Sequence, residues 1–128
     1  PLAMAAGNVV LDLLSEPGVY DLLEEKSKKL CEGLEKNSHE LELSTKFTRV
    51  CSMFSMFFTN VSIENFQSVK TCDTEFFKRY FNELLEEGVY IAPCLFEAGF
   101  MSAFHSDKEI DQTINASIKA LKSAKSLK

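Results

Sequence analysis

The spacing of apolar residues divides the chain into stretches of helical period and stretches of alternation. From the start, Leu2, Met4, Val9, Val10, Leu11, Leu13 and Leu14 cover too much of a helix's circumference for a surface helix. No Ser, Thr, Asp or Asn precedes them as a cap. The expectation is a helix covered by protein lying upstream, so the chain reads as a piece of something larger. On this division residues 1–15 link and residues 16–128 form one domain.

Ser15-Glu16-Pro17 marks a restart, with Ser15 or Glu16 as cap and Pro17 at the first helical position. Val19, Leu23, Leu30 and Leu34 then share one face. Glu24 with Lys28 and Glu25 with Lys29 are expected to pair on the outer face, and Asn37-Ser38 to close the helix. Leu41, Leu43 and Phe47 alternate with polar residues, as a half-exposed strand does. The run from Cys51 to Thr59 is apolar on both faces, which predicts a central strand. Residues 60–70 read as a loop with room for a helical turn.

A second strong helix is predicted from Thr71 or Asp73, with Phe76, Phe77, Tyr80, Phe81, Leu84 and Leu85 as a broad stripe and Gly88 as its C-terminal cap. Burying that stripe is worth on the order of 10 kcal/mol, so it must lie against a sheet. Val89 to Ala92 and Phe100 to His105 are expected strands. Ser106 and Glu109 form a capping box for a last helix with Ile110, Ile114, Ile118 and Leu121 on one face. The order helix, helix, strand, strand, helix, strand, strand, helix points to an α+β, two-layer fold. Its sheet is small and mainly antiparallel, of roughly three to four strands, with helices on one face.

Composition changes this picture little. The 128 residues are 45% hydrophobic and 26% charged, ordinary for one globular domain. A net charge of −5 argues against nucleic-acid binding. No apolar run approaches the roughly 20 residues that cross a bilayer, and no secretory signal is visible. Cys31, Cys51, Cys72 and Cys94 are widely separated, which disfavours zinc and redox pairs and suits reduced thiols in the cytoplasm.

Catalytic candidates are few. His39 sits in a polar turn and His105 at a strand end, both better suited to packing or solvent than to a relay. Each lysine lies on a helix surface, a polar strand or the tail, without the desolvated pocket a Schiff-base lysine needs. Phosphate-cradling glycine loops and metal-ligand spacings are absent from the sequence. Glu97 stands out, set between Phe96 and Phe100 with Gly99 beside it. A carboxylate buried there needs a partner, so Glu97 either faces water at a rim or meets a donor this chain does not supply. The plainer alternative is a carboxylate that accepts N–H bonds at the Ala98-Gly99 turn.

Several segments together resemble the glutamate-1-semialdehyde 2,1-aminomutases, class III pyridoxal-phosphate enzymes. They are PLAMAAG at Pro1–Gly7, EPGVYDLLE at Glu16–Glu24, RVCSMFSMFFT at Arg49–Thr59, DTEFFKRYFNELLEEGVYIAP at Asp73–Pro93 and FEAGF at Phe96–Phe100. The first is shared across class III aminotransferases. SMF, GVYIAP and FEAGF in combination are more particular to the aminomutases. The resemblance implies the C-terminal small domain of a fold-type I homodimer, joined through residues 1–15 to a large domain that holds pyridoxal 5'-phosphate. It places the cofactor's lysine, aspartate and phosphate-binding threonine upstream, so this chain alone is expected to be inactive and to bind no cofactor. It assigns Glu97 to the active-site entrance and, on weaker grounds, puts Arg49 and Ser52 beside the same cleft. Cys51, where the family commonly has Gly, and Cys94-Leu95, which replace a more polar pair, depart from the pattern. A related class III aminotransferase and a stand-alone α+β interaction module remain alternatives.

Overall fold

The computed structural model describes residues 1–127. Five helices and three strands follow in the order α1 (Leu2–Leu14), α2 (Val19–Glu40), β1 (Thr45–Val50), β2 (Met53–Phe58), α3 (Phe66–Val69), α4 (Thr74–Glu86), β3 (Gly99–Phe100) and α5 (Asp107–Ser126). The sheet is antiparallel in the order β1-β2-β3, so the doubly apolar segment is the central strand. Phe57 and Phe58 point to opposite faces and both are buried. The α+β expectation holds, with three strands rather than four.

The helices meet the face that carries Phe47, Phe54, Met56 and Phe58. Phe47 and Phe54 pack with Leu30, Leu34, Met101 and Ile110. Phe58 joins Phe77, Tyr80, Leu84, Ala120, Leu121 and Ala124 in the second core cluster. Of the predicted α4 stripe, Phe77, Tyr80 and Leu84 are buried, while Leu85 at the stripe's edge is 47% exposed. Asp73 caps α4 through the Phe76 N–H at 2.8 Å. Gly88 takes the left-handed conformation that ends it, at φ 81°. The Ser106–Glu109 capping box on α5 is present as expected.

Several boundaries move. The cap of α2 is Gly18, at φ 86°, and Pro17 lies in the preceding turn; a residue with free positive φ supplies the reversal that Pro cannot. Asn37 and Ser38 do not close α2, which continues to Glu40. Their side chains are satisfied inside the core, Asn37 Nδ2 donating to Ile114 O at 2.7 Å and Ser38 Oγ to Leu34 O at 3.0 Å. The expected Glu24–Lys28 and Glu25–Lys29 pairs lose to tertiary partners and later helix neighbours. Lys29 bridges Asp107 and Asp111, Lys28 pairs with Glu32, and Glu24 with Arg49. Val89–Ala92 is not a strand, and the predicted Phe100–His105 strand shrinks to Gly99–Phe100. No residue of α1 is buried, Leu2 and Met4 being 84% and 73% exposed.

The β1–β2 hairpin turns through Cys51 and Ser52, with Val50 opposite Met53. Cys51 sits at φ 49°, a left-handed backbone disfavoured for any residue with a Cβ. Glycine adopts it freely, which gives a physical reason for Gly at this turn. Replacing Cys51 with Gly is expected to raise stability by about 1 kcal/mol, less the entropy Gly loses on folding. Chemical denaturation of the two proteins checks it, and a destabilised variant would refute it.

Tyr80 Oη and Ser117 Oγ share a buried hydrogen bond of 2.9 Å between α4 and α5. Burial pushes the Tyr80 phenol from its usual 10.0 up to about 12. The unfolded chain therefore releases this proton first, and stability contributed by the neutral phenol falls as pH rises from about 10 to about 12. In Tyr80→Phe that alkaline slope should flatten, which denaturation series across this pH range would show.

Candidate functional site

A cleft of about 480 Å³ opens between β2, α2, α4, α5 and the irregular segment 89–101. Its floor is apolar, with Leu30, Leu34, Leu84, Leu95 and Ile110 among its walls, and its polar rim includes Glu97, His105 and Glu109. FEAGF shapes one side. At Gly99 a Cβ would stand 2.7 Å from the Phe54 ring, so only glycine lets that ring lie across β3. Opposite Gly99, Phe54 is its paired neighbour on β2.

Glu97 is exposed, and among the described residues its carboxylate has no hydrogen-bonding or ionic partner. Its backbone N–H closes a turn onto Cys94 O at 3.0 Å. Burial among aromatics does not occur, because Phe96 and Phe100 are themselves exposed and Phe96 stacks outward on Phe66 at 5.4 Å. The Ala98-Gly99 turn takes no bond from the carboxylate either. Glu97 is a free anion at a rim.

Arg49 and Ser52 are placed elsewhere. Arg49 reaches back from β1 to α2, its Nη2 2.7 Å from Glu24 Oε1, and its Nη1 donates to Cys51 O at 3.3 Å. The Arg49 guanidinium holds the Glu24 carboxyl below its ordinary pKa, chiefly by that hydrogen bond. Ser52 contributes its carbonyl, which accepts the Met101 N–H at 2.8 Å. Neither residue lines the cleft, whereas Glu97 does. The structure thus separates the two weaker candidates from the stronger one.

Sequence reasoning missed Lys26. Its Nζ donates to Ala103 O at 2.6 Å and to His105 O at 2.5 Å, tying α2 to the loop that leaves the cleft. Two carbonyls nearly eighty positions away leave no local signal, so no periodicity points to this contact. His105 is structural too, as Nδ1 accepts the Ser102 N–H at 3.1 Å. His39 lies on the α2 surface, 3.9 Å from Glu35. The four cysteines are free, Cys31 and Cys72 buried, and burial pushes both of those thiols up. Among the described residues no cluster of His, Cys, Asp and Glu is arranged for a metal, and no helix is long and apolar enough to cross a membrane.

Comparison with known proteins follows the sequence motifs. No family model matches the chain. Glutamate-1-semialdehyde 2,1-aminomutase 2 of Brevibacillus brevis is 48% identical over 97% of the chain. This chain is similar to an aminomutase over nearly its whole length. It spans only 29% of that relative's length. Among solved structures, the FumI protein of Sphingopyxis sp. MTA144, in a form with pyridoxal phosphate, superposes with a TM-score of 0.76 at 25% identity. That match covers 96% of this chain and 27% of the FumI chain. An omega-transaminase from Sphaerobacter thermophilus has the same fold, with a TM-score of 0.73 at 21% identity over 86% of this chain and 25% of its own.

The chain's own residues do not fit a pyridoxal phosphate. No Lys or Arg lines the 480 Å³ cleft, so it offers neither an amine for the aldehyde nor a cation for the phosphate. The aminomutase similarity therefore attaches to the fold and to FEAGF, not to a cofactor site within these residues.

Proposed function

We propose that this chain is the C-terminal small domain of a pyridoxal-phosphate aminomutase that converts glutamate 1-semialdehyde to 5-aminolevulinate in tetrapyrrole synthesis. The observation that carries it is 48% identity to an aminomutase across 97% of the chain. FEAGF and GVYIAP favour this over a general class III aminotransferase, the second reading, to which the transaminase-like fold lends support. The cofactor supplies the amino-group carrier and the electron sink. Its lysine belongs to a large domain, and residues 1–15 are the link to it. The apolar, unburied α1 supports that division, since such a surface is suited to cover by protein.

In this reading the intact enzyme is a cytoplasmic homodimer, with neither nucleic acid nor membrane among its partners. The small domain supplies a wall and an entrance. Glu97, a free carboxylate at the cleft rim, faces the large domain and orients or repels charge as substrate enters. Arg49 acts indirectly at most, because Glu24 already occupies it.

Glu97→Gln in the intact enzyme is expected to lower kcat/KM on the order of tenfold while leaving the melting temperature unchanged. Steady-state kinetics and calorimetry on the same preparation decide it; lost folding with unchanged activity per folded molecule would make Glu97 a turn residue. Mixing this chain alone with pyridoxal phosphate should give no stoichiometric, site-specific change in the cofactor's absorbance. A saturable change at one equivalent would overturn the placement of the lysine elsewhere.

A further inference from the structure

The sheet ends before its strands do. Phe58 O accepts the Asp73 N–H, and Ser52 O accepts that of Met101, both on the side of β2 away from β1. Peptide groups alternate along a strand, so Phe54 and Met56 point the same way. Phe54 is matched with Gly99, but β3 stops there, because the chain folds into the Cys94–Glu97 turn. Among the described residues, Met56 N–H and C=O are left without a partner on that side. They face the cleft, which Met56, Glu97 and Ala98 line.

The opposite wall repeats the deficit. Val89–Ala92 has the composition of a strand but pairs with nothing, and the N–H groups of Tyr90, Ile91 and Ala92 make no backbone hydrogen bond. Val89 and Ile91 pack against the core, so this wall is held in place. Unpaired, half-buried peptide groups are costly, and two sets of them facing one apolar space call for a ligand that is itself a peptide backbone. A purely apolar molecule would fill the volume and leave both sets unmet.

We propose that the cleft is a strand-accepting slot. An extended peptide segment continues the line of β3 past Gly99, exchanges two hydrogen bonds with Met56 and lies beside Val89–Ala92. An apolar side chain points to the Leu84 and Leu95 floor, and a basic one meets the unpaired Glu97 at the rim. The proposal stands apart from the aminomutase reading and is tested without turnover.

The probe is acetyl-Val-Lys-Val-Thr-Val-amide, added to this chain and followed by amide hydrogen exchange in nuclear magnetic resonance. At about 90% occupancy, exchange at Met56 should slow about tenfold, with shift changes at Ile91. The same peptide methylated on its central amide nitrogen should give no slowing, and replacing its Lys with Glu should weaken binding. Four results overturn the proposal. They are no slowing at Met56 up to 10 mM peptide, equal slowing by the methylated peptide, equal slowing by toluene, or slowing produced by raising the protein concentration alone. The last would make a second copy the occupant.

Discussion

Everything in the domain hangs on α5 lying between α2 and α4. Ala116, Ser117, Ala120, Leu121 and Ala124 are all buried, and three of them are alanines. Small side chains let two helices approach one helix from different sides, and dispersion forces reward the short distance. Ile110 belongs to one core cluster and Leu121 to the other, so α5 joins two cores that would otherwise be separate. Tyr80 and Ser117 fix the depth of that contact with one polar bond that only the folded arrangement satisfies.

This placement explains how much was legible in the residues. Elements with a single apolar face, such as α4, were recognisable because one period sufficed to define them. For α5 the Ile110, Ile114, Ile118 and Leu121 face was found, but the alanine side was invisible: Ala is as common on an exposed helix as in a crowded one. The doubly apolar run in β2 announced its central place correctly. Val89–Ala92 has strand composition for packing reasons, with Val89 and Ile91 facing the core, and composition alone does not guarantee a neighbour to pair with.

At the site, the motif was legible and the environment was not. FEAGF pointed to Glu97, and the exposed rim position agrees with one of the two possibilities the residues left open. Aromatic neighbours in sequence did not mean aromatic surroundings, because Phe96 and Phe100 turn outward. Arg49 shows the converse. Its position in the motif hinted at a cleft, while its charge is spent on Glu24 across the domain, a pairing set by tertiary geometry.

The two bonds from Lys26 have a mechanical consequence. The loop after β3 is fastened through Ala103 and His105 to α2, an element far from it along the chain. When α2 tilts, the loop is carried with it, and the rim of the cleft shifts as part of one lever. The hinge of that lever is the Ser15–Gly18 turn, where a left-handed glycine separates α2 from the helix before it. Rotation at one backbone position can thus be delivered to the opposite side of the domain without unfolding anything between.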